Sequence, residues 1–170
     1  MGFTSTYIFD IDGVLLDVSQ RIVLAKTFAH NDKSLFWHYF FSEELLYLDK
    51  PRKTGIDILL DRIDKGTVII ITGRPDYLRQ KTLNQLQSIK IPVDRIAEIY
   101  FRPKNDYRKS HIFKLETLEK IVLKGYNVLE IHDDDETFLK NAKKIIYNVK
   151  LYLHLNNQVI ELSNQYKPLW

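Results

Sequence analysis

Apolar positions along the chain fall into short runs of two kinds. The β-branched run Thr67–Thr72 (TVIIIT) is the clearest buried strand, and Tyr7–Ile11 (YIFDI) is a second that ends in acids and Gly13. Ala97–Phe101, Asn127–His132 and Val149–His154 have the same character. Between them the period lengthens to that of helices. Ser19 is placed to cap Arg21–Ala29, where Ile22, Ala25, Lys26 and Ala29 recur at helical spacing. Leu35–Phe41 and Ser42–Leu48 read as short helices broken by Pro51, and Gly55–Asp64 as a helix closed by Gly66. Asp76–Ser88, Ile112–Leu123 with Gly125 after it, and Glu136–Ile146 complete the helices. The tail from Asn156 carries no pattern that assigns it.

Strands alternating with helices predict an α/β domain, with a mostly parallel central sheet of about five strands and helices on both faces. Such sheets bind ligands at the carboxyl ends of their strands. Asp10 and Asp12 close the first strand, Thr72 and Gly73 the second, and Asp133 and Asp134 the fourth, so sequence-distant polar groups are expected at one edge.

With 170 residues, 45% apolar and 28% charged, the chain is expected to be one globular domain over residues 1–170. It has no Cys, which excludes disulfides, thiolate metal sites and a cysteine nucleophile. The longest aliphatic run, Val68–Ile71, is far short of the ~20 residues of a spanning helix, and the N-terminus lacks a signal-peptide pattern. The expectation is a soluble, cytoplasmic domain with no membrane partner. Gly2 alone does not indicate lipidation. The net charge of +3 is too small to indicate a nucleic-acid binder, although Arg102, Lys104, Arg108, Lys109 and Lys114 cluster against only Asp106. The acidic run Asp133–Glu136 has the usual character of a solvated helix start. The aromatics Phe36, Trp37, Tyr39, Phe40 and Phe41 sit at helical spacing, a pattern usual for core.

Two carboxylates two residues apart at a strand end are hard ligands suited to Mg²⁺, and the cluster from Asp133 can complete the set. A calcium loop does not fit, because Gly13 comes too early and Arg21 stands where a twelfth-position Glu is needed. Aspartate is a phosphoryl acceptor, a metal offsets repulsion between anions, and a Thr hydroxyl with a Lys ammonium neutralises non-bridging oxygens. The parts fit phosphoryl transfer. His132 reads as a hydrogen-bonding strand residue, since the expected metal prefers oxygen.

The strings YIFDIDGVLLD and VIIITGR, then Lys114, then LEIHDDDETF resemble, in order and separation, the four motifs of the haloacid dehalogenase (HAD) superfamily over residues 6 to 155. The resemblance implies a three-layer Rossmann-like fold with a small helical cap or none, residues about 19–65 supplying flap, cap and first core helix. It implies a Mg²⁺-dependent phosphomonoesterase with Asp10 as nucleophile and Asp12 as general acid/base. Asp10, the carbonyl of Asp12, Asp133 and secondarily Asp134 would hold the metal, and Thr72, Gly73 and Lys114 the phosphoryl group. A narrower similarity joins Arg102-Pro-Lys-Asn-Asp106-Tyr-Arg108 and Lys114 to the 3′-phosphatase domain of phage-type polynucleotide kinase, without that enzyme's kinase P-loop. It makes Arg74, Arg102 and Arg108 candidate substrate contacts. The expected partner is a phosphorylated substrate: a polynucleotide or nucleotide 3′-phosphate, or alternatively a small metabolite. A phospho-accepting receiver domain fits less well, because the third strand ends at Tyr100–Phe101 with no acid before Asp106. Intact motifs argue against a catalytically silent binding domain.

Overall fold

Side chains along β1 (Ser5–Phe9) point alternately to two layers, Tyr7 and Phe9 to one and Ile8 to the other. The computed structural model describes residues 4–156 and 158–162. A small antiparallel pair, β2 (Leu16–Asp17) and β3 (Lys50–Pro51), brackets α1 (Ser19–Ala29), α2 (Lys33–Phe40) and a 3-10 helix at Glu43–Leu48. α3 (Lys53–Ile63) leads to β4 (Thr67–Pro75), a 3-10 turn at Asp76–Leu78, α4 (Arg79–Ser88) and β5 (Glu98–Arg102). α5 (Ser110–Leu123), β6 (Asn127–Asp133), α6 (Glu136–Ile145), β7 (Lys150–Leu155) and β8 (Gln158–Glu161) follow. The central sheet has the order β5-β4-β1-β6-β7-β8, parallel except for β8.

In β4, Val68 and Ile70 pack with Ile56, Leu59 and Ile63 of α3 and Leu86 of α4. Ile69 and Ile71 face Leu118 and Ile121 of α5 and Phe138, Leu139 and Ala142 of α6. Each such side chain contributes roughly 1.5–3 kcal/mol on burial. Because both faces are covered, the strand reads as a continuous apolar run rather than an alternation.

Several local expectations are corrected. Val18, not Ser19, is the cap of α1, and Asp17 Oδ1 accepts the Ser19 N–H at 2.9 Å. The buried stripe of α1 is Arg21, Ala25 and Ala29, while Lys26 faces solvent. The short helix expected at Ser42–Leu48 is a 3-10 helix at Glu43–Leu48. The sheet gains a sixth strand, β8, from the tail left unassigned, because it pairs with β7 and needs no pattern of its own to do so. Residues 1–3, which carry Gly2, and the tail from 163 lie outside the described residues. Among the described residues, no helix is long and apolar enough to cross a membrane.

The α3-covered face also holds a polar chain. Arg62 Nε donates to Glu130 at 2.7 Å, and His132 contacts Glu130 at 3.2 Å through Nε2 and His154 Nε2 at 3.1 Å through Nδ1. The His132 ring is stacked between Phe9 and Tyr152, so it hydrogen-bonds within the core as expected. His154 Nδ1 is buried with no partner among the described residues. Burial, then the neighbouring His132 and Arg52, hold the His154 imidazole down at about 3. The unfolded chain takes up this proton near pH 6.5, whereas the folded one takes it up only near 3. Stability present above pH 6.5 is therefore lost as pH falls toward 3, at up to ~1.4 kcal/mol per unit. Urea titrations should show the stability loss between pH 7 and 5 shrinking by about 2 kcal/mol in His154→Phe relative to the parent.

Candidate active site

β1 is central, with β4 and β6 parallel on either side, so the residues ending these three strands share one edge. Asp10 follows β1, its backbone N–H donating to the His132 carbonyl at 2.9 Å, and its Oδ1 accepts the Ile11 N–H at 2.7 Å. Asp133 ends β6, and its Oδ1 accepts the Asp135 N–H at 2.9 Å. Asp10 is 4% exposed, and the Lys114 ammonium of α5 reaches it there.

Lys114 lies on the core-facing stripe of α5 with Phe113, Thr117, Leu118 and Ile121, where a lysine belongs only if its head finds charge. Its ammonium donates to Asp10 Oδ2 at 2.7 Å and to both Asp133 oxygens at 2.7 and 3.0 Å. Carboxylate oxygens of Asp10, Asp133 and Asp134 lie within 4.8 Å of one another. Gly13, at φ +78°, passes so close to the Asp134 carboxylate that a Cβ would collide with it. Asp135, in turn, caps α6 by accepting the Thr137 and Phe138 N–H groups at 2.9 and 3.1 Å. The acidic run thus divides: Asp135 serves the helix start that was expected, while Asp133 turns inward.

Three carboxylates with one ammonium leave excess negative charge in a poorly solvated place. Burial, with Asp133 and Asp12 nearby, pushes Asp10 up to about 7 despite Lys114. Burial also raises Asp133 against the pull of Lys114. Asp134, though part of its surface is exposed, is pushed up to about 8 by desolvation and by the charges of Asp133 and Asp10. The Lys114 ammonium, despite burial, is held charged by Asp10 and Asp133. A cluster of hard oxygens short of positive charge fits a divalent cation such as Mg²⁺.

The Asp12 carboxylate is turned away from that cluster. Its Oδ1 accepts from Arg21 Nη2 at 2.8 Å and from Arg74 Nε and Nη2 at 3.0 and 2.6 Å. Asp49 bridges the same two arginines, to Arg21 Nε and Arg74 Nη2, both at 2.8 Å, and Gln85 and Thr82 bind Arg74 Nη1. Burial alone would raise Asp12, but Arg74 and Arg21 draw it below the usual carboxylate range. Arg74, expected to touch substrate, is therefore corrected. It is 0% exposed and its donors are committed to Asp12 and its neighbours.

Thr72 is buried just before the β4–β5 register shifts ahead of the Pro75–Arg102 pair, so the strand runs on past Gly73 rather than ending there, and the Thr72 Oγ1 accepts the Arg74 N–H at 3.2 Å. Gly73 leaves room for the Ser110 hydroxyl, which a Cβ would strike. Arg108, the other expected contact, is held by Asp106 of its own loop and Glu116 of α5 at 2.6–3.1 Å. Arg102 makes no ion pair among the described residues; its Nη1 donates only to the Arg108 carbonyl at 3.3 Å. The sequence reading missed Arg21, Asp49 and Gln85. Arg21 had a signal, since it stands four residues from Ala25 and eight from Ala29 on the buried stripe. Asp49 and Gln85 had none.

The family described as polynucleotide kinase PNKP phosphatase domain, of HAD type, matches residues 4–151. Among solved structures, the chain is similar to one from the Pnkp1/Rnl/Hen1 complex (20% identity, TM-score 0.66, covering 89% of this chain and 46% of that one). It is similar also to a haloacid dehalogenase-like hydrolase, SP0104 from Streptococcus pneumoniae (15%, TM-score 0.64, 88% and 83%). The chain spans about half the length of the chain it matches in the Pnkp1/Rnl/Hen1 complex. No curated protein sequence matches it.

The double-arginine clamp generates a stability expectation. Arg74→Met keeps volume but strands the Asp12 and Asp49 carboxylates beside Arg21, which should cost about 3–5 kcal/mol in chemical denaturation. A loss under ~1 kcal/mol, typical of exposed pairs, would show that the clamp is solvent-screened.

Proposed function

This chain belongs to the HAD-type family of polynucleotide kinase phosphatase domains, and we propose that it hydrolyses the 3′-terminal phosphomonoester of a polynucleotide through a phosphoryl group carried on Asp10. The observation that carries this reading is the meeting of Asp10, Lys114, Asp133 and Asp134 at one strand edge, beside an Asp12 whose carboxylate two arginines hold in place.

Asp10, Asp133, Asp134 and the Asp12 carbonyl would hold Mg²⁺, which neutralises phosphoryl oxygens and lets an anionic nucleophile approach them. In the first step an Asp10 oxygen attacks phosphorus, the P–O3′ bond breaks, and Asp12 gives its proton to the departing alkoxide. In the second step Asp12 takes a proton from water, the hydroxide attacks phosphorus, and the P–Oδ bond breaks to free phosphate and restore Asp10. The arginines occupy Oδ1 of Asp12 among the described residues, which leaves Oδ2 as the oxygen that would give and take the proton. The depressed Asp12 favours the carboxylate, which suits the base in the second step. Thr72, Gly73 and Lys114 would bind the phosphoryl oxygens, Lys114 also orienting Asp10. The segment of residues 19–65 would act as a small cap: it supplies Arg21 and Asp49 to the clamp.

The test compares a 3′-phosphorylated oligonucleotide, a 5′-phosphorylated one and a sugar phosphate, with Mg²⁺ and with excess chelator. The 3′-phosphorylated oligonucleotide should be preferred and turnover should vanish in chelator. Asp10→Asn should abolish phosphate release, and Asp12→Asn should lower it by ~10²–10⁴-fold. Near-parental rates in Asp10→Asn would remove the nucleophile assignment, and preference for the sugar phosphate would leave a metabolite phosphatase.

The acid cluster adds a thermodynamic expectation. Asp134→Asn removes one of three mutually repelling carboxylates, so in chelator its Tm should exceed that of the parent. Mg²⁺ should raise the parental Tm by mass action and move that of Asp134→Asn much less. An unchanged Mg²⁺ shift in the variant would remove Asp134 from the ligand set.

A further inference from the structure

An aromatic patch lies beside the clamp, and its geometry is that of a stacking surface. Trp37 of α2 is fixed by three rings: edge-on to Phe36 (centroids 4.9 Å) and Phe40 (5.7 Å), and nearly parallel to Phe41 (5.6 Å, 17°). It is nevertheless 48% exposed, as is Tyr77, whereas Phe41 beneath them is 8% exposed. The Tyr77 hydroxyl donates to the Phe41 carbonyl at 3.1 Å, and the Arg102 guanidinium lies 5.3 Å from the Phe41 ring centre. An isolated half-exposed aromatic is ordinary. Two of them, one stacked on the Phe41 ring and one bonded to its carbonyl, with a cation beside them that makes no ion pair among the described residues, are not ordinary surface.

The position of the patch links it to the site. Arg21 Nη1 donates to the Phe40 carbonyl at 3.0 Å while Nη2 holds Asp12, so the C-terminal end of α2 is one residue from the clamp. Arg102 pairs in register with Pro75, two residues past Gly73, and Tyr77 follows in the next turn. Lys104 and Lys109, exposed and without ion pairs among the described residues, continue the positive charge along the β5–α5 loop. The apolar rings with cations alongside complement a chain of bases on a phosphate backbone.

We propose that Trp37 and Tyr77 stack the terminal bases of a single-stranded polynucleotide, with Arg102, Lys104 and Lys109 along its backbone, so that the 3′-phosphate is delivered to Asp10. This rests on the phosphatase reading above and names the surface that would set its substrate. Aromatic stacking is sequence-tolerant and backbone contact is salt-dependent, so the platform favours any unpaired 3′ end.

The experiment measures kcat/KM for three substrates: an aryl phosphate, a 3′-phosphorylated hexanucleotide, and the same hexanucleotide with its last two nucleotides abasic. Each is compared in the parent, Trp37→Ala, Tyr77→Ala and the conservative Trp37→Phe. The ratio of hexanucleotide to aryl phosphate is independent of the fraction of folded enzyme. It should fall about tenfold in Trp37→Ala, less in Trp37→Phe, and scarcely at all when the abasic hexanucleotide replaces the normal one. An unchanged ratio in both alanine variants, or an equal fall with the abasic substrate, overturns the platform while the phosphatase reading stands. A parent enzyme that hydrolyses the aryl phosphate but does not prefer the hexanucleotide overturns the polynucleotide reading and the platform with it.

Discussion

Excess negative charge at a buried sheet edge is the constraint on which the rest of this structure depends. Asp10, Asp133 and Asp134 are brought close to one another by two neighbouring parallel strand ends, those of β1 and β6, and the Lys114 ammonium stands between Asp10 and Asp133. Such a cluster costs folding free energy, because desolvation and like charges both oppose ionisation. The fold meets the constraint with local devices. α5 puts a lysine on its apolar face, Gly13 makes room for Asp134, and the Asp135 N–H binds Asp133 while its side chain caps α6. What these leave uncompensated is negative charge of the kind a divalent cation would offset.

A second buried charge network handles the neighbouring carboxylate in the opposite way. Asp12 and Asp49 face Arg21 and Arg74 in a set of hydrogen-bonded ion pairs, so both signs are matched inside the protein. The two carboxylates two residues apart consequently behave differently: Asp10 is raised and Asp12 lowered. Burial and like charges raise the first, and two arginines lower the second. The clamp also ties α1, the segment before β3, β4 and α4 together, since its members come from each. The small insertion after β1 is therefore part of the site's framework.

The amino-acid sequence by itself determined the alternation of strands and helices, because β-branched runs such as Thr67–Thr72 and helical spacing such as that in α6 report burial through local pattern. Parallel connectivity then places Asp10, Thr72 and Asp133 at one edge. Only the tertiary structure decided which charges were buried and with whom. Arg74 was legible as a residue beside the second motif but not as a partner of Asp12, 62 residues away. Asp49 and Gln85 left no periodic trace, and β8 was a strand because β7 offered it an edge. A charged side chain in a sequence looks solvated wherever it stands. Its partner is set by packing between distant segments, and so are its exposure and its ionisation.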